Sequence, residues 1–409
     1  MNIWIIIFAL VNIVLFLHTS YYVIFTVYGL FRKTKKYADT NERRHFAAVI
    51  AARNEELVIG NLIDSLKATD YPSELLDIYV FLNNCTDGTE AIAREHGAIV
   101  VECKDEAHSK GDVLRYAFNK FFKDKTEIDA YAVFDADNVV DAEFFNEMNK
   151  ALCEGYPVVQ GMRRGKNMSR KWISASYEIF YAMQNVFYNH PRSSAGLTAV
   201  ISGTGWVADK AFIDRIGYDM DTITEDYEMN NKLALCDEHI GFCRDAVVFD
   251  EFTENLNVSV TQRIRWTVGL YQSIRKYEGK LIKKALRFGC GSWLCFDVAH
   301  MNLLLVTMLI SSIVLPVSYF VFKLPISFIT YLLLMLAGFW ITISMCALVA
   351  ALKSGIGLKG NVKGILTFPL FMITWVPILV YCLFKRDVEW KPIKHDMVIS
   401  IEEREAIIQ

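Results

Sequence analysis

The chain has 409 residues, of which 53% are hydrophobic and 22% are charged, and its formal net charge is −3. This composition is too apolar for an ordinary soluble protein, and the near-neutral charge gives no indication of a nucleic-acid partner. The nine cysteines form no CxxC pair and no cysteine/histidine cluster with zinc spacing. The composition therefore favours a membrane protein without a zinc site.

The N-terminal segment is apolar from residue 2 to residue 31, which is long enough to span a bilayer. It lacks a basic start and a small-residue cleavage site, so we interpret residues 1–31 as a retained transmembrane anchor. A cleaved signal peptide is the alternative. Basic residues follow at once: Arg32, Lys33, Lys35 and Lys36. They predict that the next domain is cytoplasmic, where its cysteines stay reduced.

Residues 45–275 have the pattern of one soluble α/β domain. Apolar runs predict four strands: Phe46–Ala51, Ile78–Leu82, Ala98–Glu102 and Ala130–Phe134. Helical periodicity or turn residues predict a helix after each of the first three: Glu55–Lys67, Thr89–His96 and Asp112–Phe122. Strands that alternate with helices predict a mostly parallel sheet, and such sheets bind ligands beyond the carboxyl ends of their strands.

Three polar segments follow predicted strands directly: Arg53–Glu55, Asn83–Asp87 and Asp135–Asp137. We expect them to meet at one edge of the sheet and form one site. Two carboxylates flanking a small residue, Asp135 and Asp137, are able to hold a divalent cation against a diphosphate. Lys110, at the start of a predicted helix, fits the diphosphate itself. The alternatives are a solvated acidic turn and an ordinary surface Lys-Gly turn.

Two further motifs lie later in the domain. In Thr224-Glu225-Asp226 the aspartate is a candidate base that takes a proton from a hydroxyl group, although the motif is also a plausible helix start. Gln262, Arg265 and Trp266 have helical spacing and share one face, which suits phosphate binding and sugar stacking. The alternative is a helix that packs its tryptophan into the core.

The C-terminal third is predicted to be associated with the membrane. Residues 276–295 alternate basic and apolar side chains, as in an amphipathic interface helix, with a solvated charged helix as the alternative. Residues 296–384 predict three spans: Phe296–Phe322, Ile326–Leu352 and Ile365–Phe384. A cytoplasmic domain followed by three spans places the tail outside, yet the basic residues of 385–409 favour a cytoplasmic tail, which we prefer.

These motifs, in this order, resemble those of the membrane-integrated, processive family 2 glycosyltransferases, which include cellulose, chitin, hyaluronan and poly-N-acetylglucosamine synthases. The resemblance covers the layout of the whole chain and the motifs of residues 45–275. It implies a GT-A domain, a nucleotide-sugar donor such as a UDP-sugar, Mg²⁺ or Mn²⁺, and inversion at the anomeric carbon.

The resemblance also implies roles for individual residues. Asp226 is the expected catalytic base, and Asp135 and Asp137 are the expected metal ligands. Donor-binding residues are expected at five positions: Arg53, Glu55, Asn83, Lys110 and Asp135. Residues near the acceptor or the diphosphate are expected at six: Gly203, Thr204, Glu225, Gln262, Arg265 and Trp266. Asn83 departs from the family, which usually has an aspartate there to read the uracil ring, so uridine selectivity is less secure.

Three functions remain open from the sequence. The leading hypothesis is a multi-pass plasma-membrane synthase whose cytoplasmic domain extends a polysaccharide, with possible export. The second is transfer of one sugar to a lipid acceptor, because ceramide-glucosylating enzymes resemble this motif set too. The third is a membrane protein that only binds nucleotides, which the intact Asp135, Asp137 and Asp226 disfavour.

Overall fold

The computed structural model describes residues 3–104, 107–166, 171–287, 289–358, 361–388, 395 and 397–399. Within these ranges one sheet contains eight strands: β1 (Phe46–Ala52), β2 (Leu76–Leu82), β3 (Ile99–Glu102), β4 (Ala130–Asp135), β5 (Val139–Val140), β6 (Val158–Gly165), β7 (Trp206–Asp209) and β8 (Ile240–Asp250).

The same ranges contain fifteen α-helices: α1 (Ile3–Leu30), α2 (Ile59–Lys67), α3 (Thr89–Glu95), α4 (Lys110–Tyr116), α5 (Phe144–Cys153), α6 (Trp172–Met183), α7 (His190–Ser194), α8 (Lys210–Ile216), α9 (Glu225–Leu235), α10 (Leu256–Ala285), α11 (Cys290–Asn302), α12 (Leu304–Phe322), α13 (Phe328–Ser354), α14 (Val362–Ile373) and α15 (Trp375–Phe384). A 3₁₀ turn, Ser73–Leu75, precedes β2. π-Helical turns at Ala117–Phe121 and Gln184–Asn189 extend α4 and join α6 to α7.

The sheet has the strand order β3-β2-β1-β4-β7-β6-β8-β5. Strands β3, β2, β1 and β4 are parallel, and so are β6 and β8. Strand β7 is antiparallel to both of its neighbours, and β5 is antiparallel to β8. The predicted α/β class with a mostly parallel sheet is confirmed, and the four predicted strands agree with β1–β4 to within two residues.

Strand β1 shows why the first half of the domain reads as continuous apolar runs. Ala48 and Ile50 point into a core shared with α2, whereas Ala47 and Val49 point into a second core shared with α4. A strand covered by helices on both faces has no solvent-facing side, so its sequence does not alternate. This burial fixes the register that brings Ala51 beside Asp135 on β4.

Four helices are long and apolar enough to cross a membrane: Ile3–Leu30, Leu304–Phe322, Phe328–Ser354 and the combined α14–α15 segment Val362–Phe384. The predicted apolar helices at both ends of the chain are therefore present. Phe8 of α1 packs edge-on against Phe322 of α12, at 5.9 Å between ring centroids. The N-terminal part of α1 and the end of α12 thus lie at the same end of the bundle.

The helix of the first candidate C-terminal span begins at Leu304, whereas the sequence predicted a span from Phe296. Residues 296–302 belong to α11, in which the carboxylate of Asp297 is fully buried. It lies 3.2 Å from the guanidinium of Arg192 in α7 and accepts a hydrogen bond from the hydroxyl of Tyr21 in α1 at 2.7 Å. The hydropathy of this segment therefore reflects packing against the α/β domain and α1.

The predicted interface helix, residues 276–295, is divided between two helices. Its first ten residues are the last turns of α10, a helix of 30 residues that also carries Gln262–Trp266. Tyr277 and Leu281 are buried on one side of these turns, while Lys280 and Lys283 are exposed on the other. The amphipathic pattern is present, but the helix to which it belongs begins at Leu256.

The α14–α15 segment contacts the α/β domain along its length. Gly364 packs against Ala175 of α6, and the hydroxyl of Thr374 accepts a hydrogen bond from Arg263 of α10 at 2.7 Å. Just beyond α15, the carbonyl of Arg386 accepts a hydrogen bond from Gln272 at 3.2 Å. Both ends of this segment therefore lie on the side of the domain. Most of the predicted tail, 385–409, lies outside the described residues.

Candidate active site

A cluster of three carboxylates occupies the carboxyl edge of the sheet. Asp135 ends β4, Asp137 follows it, and Asp250 ends β8. Their ligand oxygens lie within 4.8 Å of one another. Asn138 joins them, because its amide nitrogen donates to Asp250 at 3.0 Å and its amide oxygen accepts from the backbone N–H of Asp135 at 3.1 Å. Asp250 was not predicted, although its position after the apolar end of β8 matches that of Asp135.

Thr204 supports this cluster from behind. It was predicted to lie near the acceptor, but its side chain is fully buried. Its hydroxyl accepts a hydrogen bond from the backbone N–H of Asp135 at 3.0 Å and donates one to Asn138. In this structure the Thr204 hydroxyl therefore positions the end of β4.

Lys110 supplies a positive charge next to the cluster. It opens α4, whose N-terminus is fixed by reciprocal hydrogen bonds between Ser109 and Asp112. Its ammonium group donates to Asp135 at 2.6 Å and to the carbonyl of Gly203 at 2.8 Å. Burial raises the pKa of Asp135, but the Lys110 charge outweighs it, and the pKa is lowered overall. Asp135 is therefore ionised at neutral pH.

Arg163 on β6 is the second cation of the site, and it too was missed from the sequence. Its guanidinium pairs with Asp250 through two N–H groups and donates to the carbonyl of Ser202 at 2.7 Å. It also lies over the ring of Tyr181, 4.2 Å from the centroid. Burial raises the pKa of Asp250 to about 7, and Asp137 acts in the same direction against the Arg163 charge. The adjacent arginines of β6, Arg163 and Arg164, match no motif by which to predict this pairing.

The predicted base, Asp226, lies in the first turn of α9 beside Glu225. Both carboxylates are half-buried, and burial is the main cause that raises the pKa of each, to about 7 for Glu225. Asp226 accepts a hydrogen bond from the backbone N–H of Tyr227 at 2.8 Å. A Cβ atom added at Gly203 would contact Asp226 at 3.6 Å and Arg163 at 3.7 Å. Gly203 therefore lies next to both Asp226 and Lys110.

The motif on α10 places three half-buried side chains near α9. Among the described residues, Gln262 and Arg265 have no hydrogen-bond or ion-pair partner, which leaves their N–H groups available to a ligand. Trp266 packs edge-on against Tyr177 at 6.0 Å and is half-buried, which agrees in part with the packing alternative. One turn further along α10, Gly269 contacts Thr224, which precedes α9. The two motifs thus belong to packed helices.

The turns after β1 and β2 form the far side of the site. Asn83 is buried, its backbone N–H donates to Ala52 at 2.9 Å, and its amide oxygen accepts from Asn84. Burial raises the pKa of the nearby Glu55. Arg53 is half-buried in the same turn. The structure thus brings all of the predicted polar segments to one edge of the sheet.

A residue from the C-terminal tail enters this edge. The Nδ1 atom of His395 lies 3.2 Å from Glu55, and its Nε2 atom lies 4.0 Å from Asp137. Burial lowers the pKa of His395, but these carboxylates outweigh it and raise the pKa to about 10. The backbone N–H of Met397 donates to Glu251 at 3.0 Å. Sequence reasoning assigned no role to this part of the tail, because a contact across more than 250 residues leaves no local pattern.

Comparisons with known proteins agree with this geometry. The chain is 20% identical over 362 residues to the probable glycosyltransferase YdaM of Bacillus subtilis, covering 84% of this chain and 85% of that protein. It is 25% identical over 241 residues to the beta-monoglucosyldiacylglycerol synthase of Synechocystis, covering 56% of this chain and 48% of that protein. The match thus spans about half the length of this second relative.

A solved structure shares the fold. The mannosyltransferase PcManGT from Pyrobaculum calidifontis, in complex with GDP-Man and Mn²⁺, superposes with a TM-score of 0.63 at 18% identity, over 94% of this chain and 99% of that one. A family model described as glycosyltransferase-like family 2 matches residues 43–269, more than half of the chain. The chain therefore belongs to glycosyltransferase family 2 and is a glycosyltransferase with a GT-A-like fold.

Proposed function

We propose that this enzyme transfers a sugar from a UDP-sugar donor to a hydroxyl acceptor held at a membrane surface, with inversion at the anomeric carbon. The observation that carries the proposal is that Gly203 lies next to both Lys110, a candidate diphosphate ligand, and Asp226, the candidate base. The carbonyl of Gly203 accepts a hydrogen bond from Lys110, which also binds Asp135, and a Cβ atom added to Gly203 would lie 3.6 Å from Asp226. A diphosphate beside Lys110 and an acceptor hydroxyl beside Asp226 fit this arrangement.

The donor is proposed to lie along the carboxyl edge of the sheet. Lys110 and Arg163 offer positive charge to a diphosphate, and the N–H groups of Gln262 and Arg265 extend that surface. At the other end, the amide of Asn83 is able to hydrogen-bond a nucleotide base without adding charge. Arg53 and Glu55 lie in the adjacent turn and complete the donor-binding set expected from the sequence.

The carboxylate cluster fits a divalent cation. Asp135, Asp137 and Asp250 offer converging oxygen ligands, which Mg²⁺ and Mn²⁺ both prefer. Lys110 and Arg163 already pair with Asp135 and Asp250, and a divalent cation would further lower the cost of burying three carboxylates together. A bound cation supplies positive charge against the leaving diphosphate. The solved relative PcManGT is described with Mn²⁺ and GDP-Man, in agreement with this assignment.

Asp226 is the proposed catalytic base. Its carboxylate takes the proton of the acceptor hydroxyl while that oxygen bonds to the anomeric carbon. The bond from this carbon to the diphosphate breaks on the opposite face of the sugar, so the configuration inverts. The raised pKa of Asp226 makes it a stronger base than an exposed aspartate. The charges of Lys110 and Arg163 act against the effect of burial and limit the rise in this pKa.

We propose a lipid-anchored acceptor. The face of α10 that carries Gln262 and Trp266 packs beside the apolar α14–α15 segment, where Trp266 lies over Trp375 at 6.5 Å. An acceptor reaching Asp226 from that direction passes apolar helices. The relative from Synechocystis is named for the synthesis of a glucosylated diacylglycerol, which is the kind of product that a lipid acceptor would give.

A growing polysaccharide is the second candidate for the acceptor. It is favoured by the half-buried ring of Trp266, which packs on the buried rings of Tyr177 and Trp375, since an aromatic ring is a surface on which sugars stack. In either case we propose a multi-pass protein of the plasma membrane with the catalytic domain in the cytoplasm. The basic residues that follow α1 support that orientation.

Product sizing tests these proposals. Membranes that contain the protein receive Mn²⁺ and a panel of radiolabelled UDP-sugars, and the products are divided into a lipid extract and a high-molecular-weight fraction. A lipid carrying one sugar supports the first acceptor, and a polymer supports the second. Asp226→Asn should abolish either product, whereas Asp245→Asn, an exposed aspartate, should keep it. Failure of every UDP-sugar to label any product would contradict the proposed UDP-sugar donor.

A further inference from the structure

A basic cavity lies at the membrane-side end of the α/β domain, away from the candidate active site. Its volume is about 600 Å³, and it is bounded by residues of α7, β6 and β8 and by the ends of α1 and α13. Five basic side chains line it: Arg32, Lys33, Lys36, Arg244 and Lys353. No aspartate or glutamate lines it among the residues that the structure describes.

The charges of this cavity are not neutralised within the described ranges. None of its five basic side chains has a carboxylate partner there, and Arg32, Lys33 and Lys36 are exposed. Arg244 donates to the hydroxyl of Thr34 at 3.2 Å and to the carbonyl of Lys353 at 2.6 Å, which ties β8 to the ends of α1 and α13. The cavity is thus a fixed feature of the fold with an excess of positive charge.

His190, which also lines the cavity, adds no charge at neutral pH. Burial lowers its pKa, and the nearby charges of Arg244 and Lys353 lower it further. Its Nε2 atom lies 3.0 Å from the carbonyl of Gly29, at the end of α1. The positive potential therefore comes from lysine and arginine side chains and does not depend on pH in the physiological range.

A second cavity adjoins the first between the membrane helices. It has a volume of about 540 Å³ and lies between α1, α12 and α13. Apolar side chains such as Val23, Phe187 and Met345 line most of it. Leu30, the last residue of α1, lines both cavities. The basic cavity at the end of the helices and the apolar cavity along them therefore adjoin at Leu30.

We propose that the two cavities together bind one anionic glycerophospholipid, with its phosphodiester headgroup in the basic cavity and an acyl chain in the apolar one. Only an amphiphile satisfies both, because a free phosphate leaves the apolar cavity empty and a neutral lipid leaves the cations unpaired. This inference is independent of the proposed acceptor and goes beyond the transfer reaction.

The lipid site is separate from the carboxylate cluster. Cys243, next to Arg244, pairs with Gly161 on β6, whereas Asp250 pairs with Gly165. These two β6 residues are four positions apart, which corresponds to about 13 Å along a strand. A lipid in this site therefore does not occupy the position of the sugar acceptor, and its loss should not remove donor binding.

Thermal unfolding of the purified full-length protein in detergent tests the proposal. Dioleoylphosphatidylglycerol should raise the melting temperature at lower mole fractions than dioleoylphosphatidylcholine. The triple variant R32Q/K33Q/K36Q should raise the half-saturating fraction of phosphatidylglycerol by at least about tenfold. The matched variant R94Q/K123Q/R215Q removes the same charge from exposed positions of the α/β domain and should leave it unchanged.

The apolar half is tested separately. Val349→Trp fills the cavity between the helices and should also weaken the response to phosphatidylglycerol while the basic residues stay in place. Equal responses to the two lipids, equal losses in the two triple variants, or an unchanged response in Val349→Trp would each overturn the proposal. So would the same stabilisation by inorganic phosphate at the same concentration.

Discussion

Replacing Asp297 by asparagine should destabilise the protein by about 3–5 kcal/mol, the usual cost of removing one partner of a buried ion pair. The side chains of Asp297 and Arg192 are fully buried and lie 3.2 Å apart. An asparagine still accepts the hydrogen bond from Tyr21, but it leaves the Arg192 charge without a counterion. At roughly 2–4 °C per kcal/mol, the melting temperature should fall by at least about 6 °C.

The measurement is thermal unfolding in detergent, followed by tryptophan fluorescence at one scan rate. Asp245→Asn removes an exposed carboxylate and should change the melting temperature by no more than about 2 °C. The double variant Arg192→Met/Asp297→Asn removes both charges and should recover at least half of the loss. If Asp297→Asn unfolds at the temperature of Asp245→Asn, the burial of α11 against the α/β domain is wrong.

Three further predictions concern the active site. Asp135→Ala should abolish Mn²⁺-dependent binding of UDP in calorimetry. Equal affinity of the wild type and the variant for UDP would exclude Asp135 as a metal ligand. Asp226 must be ionised to act as a base and its pKa is raised, so kcat/KM should fall as the pH drops through that pKa. Glu225→Gln removes a neighbouring negative charge, and this should lower the pKa of Asp226 and shift the acidic limb of the pH–rate profile to lower pH. Trp266→Ala should lower kcat more than it weakens UDP binding, and an unchanged rate would contradict an acceptor-side role.

The local parts of this site could be predicted from the sequence. An apolar run followed directly by polar residues marks the end of a parallel strand, and the ends of parallel strands meet at one edge. That rule alone brought Glu55, Asn83 and Asp135 to one place, where the structure has them. The same rule applied to β8 predicts Asp250, because its last residues are equally apolar.

Other parts depend on contacts that no local pattern records. Thr204 lies in a segment whose resemblance implied an acceptor role, yet its hydroxyl is used to hold the end of β4. The start of the first C-terminal span could not be placed, because hydropathy does not separate a lipid-facing helix from one whose carboxylate, Asp297, is paired inside the protein. His395 lies beside the cluster because the apolar helices that precede it return the chain to this edge of the sheet.

Helix α10 explains how the membrane side and the chemistry are joined. With 30 residues it is about 45 Å long and extends from the Gln262 motif to the basic turns. Glu228 of α9, fully buried, accepts hydrogen bonds from Lys276 at 2.5 Å and Tyr277 at 2.7 Å, and Gly269 contacts the residue that precedes α9. Burial raises the pKa of Glu228, but these bonds outweigh it and lower the pKa, so the Glu228–Lys276 pair stays charged. Helix α9, which carries the proposed base, is therefore fixed to α10 at two places, through Glu228 and through Thr224. We expect a tilt of α10 to move the proposed base together with the proposed acceptor surface.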